Sequence, residues 1–126
     1  MTLDEVISEF ERCWPWLEVS LAAGAFVHEG RVWPSHSKED VWDRIVDGRS
    51  LFWPGQNCAF ITEIHVSPTG LKTHLIWLTG GKRNGSLKEI VSMEAEIAEW
   101  GRQKGCHQQT GYGREGWLRA FKGYRK

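Results

Sequence analysis

LIWLTGGKRNGSLKEI, residues 75–90, decides the fold. Its β-rich start, Leu75 to Thr79, stops at Gly80-Gly81, and the short charged loop Lys82-Arg83-Asn84-Gly85 follows. Ser86-x-x-Glu89 reads as a capping box that opens a helix. Leu87, Ile90, Val91, Met93, Ile97 and Trp100 carry the helical spacing on to about Lys104, and Gly105 is the predicted C-cap. Cys106 to Tyr112 reads as a short strand and Arg114 to Phe121 as a last helix. A strand, a crossover helix and a second strand form a right-handed unit, so the two strands should run parallel.

Upstream, Leu71 to Thr79 and Cys58 to Val66 alternate and are rich in β-formers. The turn Ser67-Pro68-Thr69-Gly70 between them predicts an antiparallel hairpin. Ser50 to Trp53 is a short strand that stops at Pro54-Gly55. Before it, Ser37 caps a helix with Asp40 at N3. Val41, Trp42 and Ile45 form the apolar side of that helix, and Gly48 is its stop. Residues 25–36, with Gly30 and Pro34, read as an irregular connection in which Phe26 to Trp33 has room for a short strand or hairpin. At the start, Thr2-x-x-Glu5 caps a helix with Leu3, Val6, Ile7, Phe10, Trp14, Leu17 and Leu21 at helical spacing. Pro15 should kink or split it, and Gly24 ends it. The order predicts an α/β (α+β) chain with one mixed antiparallel and parallel sheet. With 126 residues and no linker or repeat, a single domain spanning 1–126 is expected.

The composition is that of a soluble globular chain, 40% hydrophobic and 25% charged. The formal net charge of zero hides an asymmetry. Residues 1–63 hold 5 basic and 11 acidic side chains, net −6, and residues 64–126 hold 11 and 5, net +6. The positive half can face an anion, or the two halves can complement each other. Cys13, Cys58 and Cys106 are too scattered for a disulfide framework or a zinc site, so reduced thiols in a cytoplasmic setting are expected. No apolar run approaches the roughly 18–20 residues of a membrane span. The acidic N-terminus does not read as a signal peptide.

A strand that ends in glycines and feeds a helix start presents free amides and a positive helix end, the arrangement that receives a pyrophosphate. The candidate binding residues in this loop are Gly80, Gly81, Lys82, Arg83, Asn84, Gly85 and Ser86. The loop is neither a Walker A motif nor GxGxxG, and its glycines also suit a plain turn.

The element order and three short motifs resemble the GNAT-type N-acetyltransferases. Lys82-x-x-Gly85-x-Leu87 lies on that family's R/Q-x-x-G-x-G/A loop and matches it at the central glycine. Ala98 to Cys106 is similar to its "A-x-x-x-G" helix ending, and Trp117 to Tyr124 to its "Y-x-x-x-GF" ending. The likeness covers roughly residues 50–124. It implies a GNAT-like sheet with helices on both faces and acetyl-CoA, or another acyl-CoA, as cofactor. The pantetheine arm would lie in a splay beside Trp77, Leu78 and Thr79, and amides from Lys82 to Ser86 would hold the pyrophosphate. An amine acceptor would then attack the thioester directly, with no metal. Leu87 stands where the family has a small residue. Arg119, five residues before Tyr124, stands where it often has a proton-donating tyrosine, and Tyr112 lies nearby without a motif. The segment from Gly113 to Tyr124 also resembles small GNAT-like proteins of tailed bacteriophages and prophages, some of which are virion components. The alternative implied is a non-catalytic structural or interaction protein with protein partners in a phage particle.

Glu63, midway along a β-rich strand, is the candidate catalytic base; a solvent-facing glutamate is the plain alternative. His65 shares its face, and His74 on the next strand is a possible cross-strand neighbour. Glu89, Glu94, Glu96 and Glu99 read as a solvated helix face. Most of the eight Trp residues should be core, with Trp14, Trp16 and Trp33 as candidates for an exposed patch. The basic end, Trp100 to Lys126, lacks the aromatic and helix-turn-helix signatures of nucleic-acid readers, so a solvated end or a partner contact is expected there.

Overall fold

The computed structural model describes residues 1–111. Three helices and two sheets are present among them: α1 (Leu3–Ala23), β1 (Phe26–His28), β2 (Arg31–Trp33), α2 (Lys38–Val46), β3 (Leu51–Pro54), β4 (Cys58–Val66), β5 (Lys72–Gly81), α3 (Leu87–Gln103) and β6 (Gln108–Gly111). The larger sheet has the order β3-β4-β5-β6. Its first three strands are antiparallel, and β6 pairs parallel with β5 after the α3 crossover. The mixed sheet and the parallel pair are as the sequence predicts. The expected last helix, Arg114 to Phe121 with Trp117 and Arg119, lies outside the described residues, as do Tyr112 and Tyr124.

The alternation of β4 divides the core into two layers. Ala59 and Ile61 pack under Phe10, Cys13, Leu17 and Leu21 of α1 and Val41 of α2. Cys58 and Phe60 face the other way, with Ile76, onto Ile90 and Ile97 of α3. Helices therefore cover both faces. Burial of four α1 side chains at i, i+3 and i+4 spacing is the main force holding that helix.

Two local expectations are corrected. α1 is one helix, not split at Pro15. Pro15 and Glu11, whose carbonyl loses its partner to the proline, are both exposed, so water can satisfy that carbonyl. At the start of α3 no capping box forms. Ser86 has helical φ and ψ and no side-chain cap bond; its Oγ instead donates to the Lys82 carbonyl at 2.7 Å. The Glu89 carboxylate is drawn away by the loop after β3, accepting from the amides of Gln56 (2.8 Å) and Asn57 (2.7 Å).

β1 and β2 form a separate hairpin, joined by Glu29 (φ +50°) and Gly30 (φ +78°). Two consecutive positive φ angles are what a type I′ turn requires. Every residue of both strands is exposed. Phe26 pairs with Trp33 and His28 with Arg31 on one face, and Val27 pairs with Val32 on the other. The expected patch of Trp14, Trp16 and Trp33 thus reduces to Trp33, because Trp14 and Trp16 pack against the core.

Candidate functional site

β5 is irregular at Trp77, at the start of the stretch expected to bind a cofactor. Ile61 pairs with Leu78 while Thr62 pairs with Ile76, which leaves Trp77 as an extra residue. A bulge of this kind turns two successive side chains to one face, and both Trp77 and Leu78 pack in the α1–α2 layer. The recorded pairing with β6 runs from Thr73 to Ile76. Trp77 to Gly81 therefore lie beyond the paired stretch among the described residues.

Several groups in this stretch are engaged by the fold. The Thr79 amide donates to Ser20 Oγ of α1 at 3.1 Å. The Lys82 amide donates to the Asn57 carbonyl at 2.7 Å. A Cβ on Gly80 would collide with the Trp16 backbone carbonyl. One on Gly81 would come within 2.8 Å of both the Asn57 carbonyl and Ser86 Oγ. These two glycines thus let α1 and the loop after β3 approach β5 closely. Asn84 (φ +67°) and Gly85 (φ +87°) shape the loop itself. The Arg83, Asn84 and Gly85 amides have no hydrogen-bond partner among the described residues. The side chains of Lys82 and Arg83 are exposed.

Glu63 is buried, 5% exposed, and Arg44, Ser50 and His65 converge on its carboxylate. Arg44, in the last turn of α2, reaches Oε2 through Nε at 2.8 Å and Nη2 at 2.7 Å. Ser50 Oγ donates to Oε2 at 2.5 Å. His65, two residues along β4 and on the same face, meets Oε1 through Nε2 at 2.9 Å. Burial alone would raise the Glu63 pKa, but the bonds from Ser50, His65 and Arg44 outweigh it and hold the pKa below 4.5. The carboxylate stays anionic. Arg44 also lies 5.6 Å from the Trp77 ring centre, and His36 packs edge-on to that ring at 4.7 Å. The cluster thus adjoins the bulge.

His74 is not beside His65. It pairs with Ile64 and faces α3, its ring 5.3 Å from Trp100. It is fully buried, and neither ring nitrogen has a partner among the described residues. Burial pushes its pKa down to about 4. Gln109 is its register partner on β6, equally buried and equally unpartnered. Glu94, expected on a solvated face, is 4% exposed with Oε1 unpartnered, and burial pushes its pKa up to about 7. Of the four α3 glutamates only Glu96 and Glu99 are exposed. Among the described residues no cluster of His, Cys, Asp or Glu is arranged to hold a metal ion, and no helix is long and apolar enough to cross a membrane.

Arg44, Arg49, Ser50 and His36 were not legible as site residues. They carry no motif, and they reach Glu63, the cavity beside it or Trp77 only through the turn after α2 and the α2 packing angle. Comparison with protein-family models, curated proteins and solved structures gives no match.

Proposed function

We propose that the β5–loop–α3 unit is an acyl-CoA site of GNAT type, and that the protein transfers an acyl group to a primary amine. The observation that carries this reading is the bulge at Trp77. It lies on the strand that leads into a loop with unpartnered amides and two exposed cations, beside a parallel β6. The pyrophosphate would rest on Arg83, Asn84 and Gly85, with Lys82 and Arg83 supplying charge; the amides of Thr79 and Lys82 have protein partners already. Glu63 enters the chemistry through His65, whose ring it orients. The amine nitrogen forms a bond to the thioester carbonyl and the C–S bond breaks. The amine proton leaves through His65 to solvent, and the CoA thiolate takes up a proton. The test is thermal unfolding with acetyl-CoA. At 100 times the dissociation constant the native state gains about 2.7 kcal/mol, a rise of several degrees in Tm. An unchanged Tm at millimolar acetyl-CoA would sink the reading.

The β1–β2 hairpin favours a second reading, a non-catalytic GNAT-like structural protein of the kind found in phage particles. An isolated two-stranded hairpin is marginal in water, and this one exposes Phe26 (65%) and Val27 (62%) on opposite faces. The proposed occupant is a second copy, drawn by the −6 and +6 halves in head-to-tail contact. Light scattering should then give a mass above the 14.5 kDa monomer, and Phe26→Ser with Trp33→Ser should restore the monomer. A monomeric wild type at high concentration rejects it.

A further inference from the structure

β3 begins at Leu51, opposite Thr62, whereas β4 runs on to Val66. From Glu63 onward β4 has no neighbour on that side among the described residues. The turn from Gly48 to Ser50 arches over the gap and leaves a cavity of about 390 Å3. This volume lies within the range of small-molecule sites. Leu51, Ile64 and Trp100 form an apolar wall, and Arg44, Arg49 and His65 form the polar one.

The polar wall has a directional chemistry. Glu63, held anionic, accepts a hydrogen bond from Nε2–H of His65. In neutral His65 this leaves Nδ1 as an acceptor, and it has no partner among the described residues. Arg49 gives its Nε to Asp47 at 2.8 Å, but its side chain is 56% exposed. Its terminal nitrogens have no partner among the described residues, nor does Nη1 of Arg44. The cavity therefore offers guanidinium donors for a carboxylate, an imidazole acceptor for an N–H, and in Trp100 an aromatic surface on its wall.

We infer that this cavity binds a small amino acid-like molecule, with its carboxylate on Arg49 and Arg44, its amine on His65 Nδ1 and its apolar body against Trp100. The inference rests on the acyl-transfer reading only for the amine's role as acceptor, and its test uses the full chain without CoA. L-phenylalanine, 3-phenylpropionate and phenethylamine are titrated while NMR follows the His65 ring and the Trp100 indole. Phenylalanine should give saturable shifts in the millimolar range. Phenethylamine, without the carboxylate, should bind about tenfold more weakly, and Arg49→Gln should weaken phenylalanine by a similar factor. His65→Gln should weaken phenylalanine but leave 3-phenylpropionate unchanged, a split that a merely structural histidine would not produce. Both substituted side chains are exposed, so the fold is kept. No saturable shift, equal binding of phenethylamine, or an unaffected Arg49→Gln variant overturns the inference even if acetyl-CoA binds. Absence of acetyl-CoA binding would leave the amino-acid titration standing.

Discussion

Gly80→Ala should destabilise the protein by about 3 kcal/mol, lowering Tm by roughly 10 °C. The added methyl would meet the backbone carbonyl of Trp16 rather than a side chain that can rotate away. Relief requires translating α1, whose Phe10, Cys13, Leu17 and Leu21 sit in the same core layer. Gly85→Ala is the control. Nothing lies within 4 Å of its Cβ position, so only the backbone strain at φ +87° opposes the change, costing about 1–2 kcal/mol. Denaturant unfolding of the two variants decides the matter. If Gly85→Ala proves the more damaging, the close approach of α1 to β5 is wrong.

The second large effect depends on pH. The Glu94 pKa is about 7 in the folded chain and 4.5 ordinarily. A raised carboxyl contributes stability that is full below 4.5 and lost as pH rises toward 7. The His74 pKa is about 4 against an ordinary 6.5. Its neutral form contributes stability that is full above 6.5 and lost as pH falls toward 4. Each slope spans about 3 kcal/mol. Between pH 4.5 and 6.5 they oppose, so the wild type should be nearly flat there. Glu94→Gln should unmask the histidine, losing stability on acidification. His74→Gln should unmask the glutamate, losing stability as pH rises. Urea unfolding at a series of pH values reads both slopes. Two flat variants would show that neither group is buried as described.

The sequence carried the fold where periodicity and turn chemistry agree. The β4–β5 hairpin, the parallel β5–β6 pair and the capped α1 and α2 were legible because each depends on local spacing. What failed was long-range. Ser86-x-x-Glu89 has the pattern of a capping box, but the loop after β3 offers Glu89 two amides in place of one. Glu94 lies within a run of charged positions, and only the packing of α3 reveals that it is buried. His74 and His65 look like cross-strand neighbours until register sets His74 opposite Ile64. Within the candidate site, Glu63 with His65 followed from strand parity. Arg44, Ser50 and Arg49 did not, because they are brought in by a turn whose course no local signal fixes. The bulge at Trp77 was invisible for the same reason, since nothing in LIWLTGG marks one residue as surplus.

That surplus residue shifts the side-chain frame of β5 by one. Up to Ile76, even-numbered positions look toward α3. From Leu78 they look toward α1. Gly80 meets Trp16, and Thr79 turns to the α3 side, only in the shifted frame. If Trp77 paired with Ile61 instead of bulging out, the strand would run on in regular alternation and invert the address of the next four. Leu78 would leave its layer, and the bare backbone that α1 leans on would face the wrong helix. The seating of α1 and the course of the strand into the glycine loop are therefore one construction, keyed by a single inserted tryptophan.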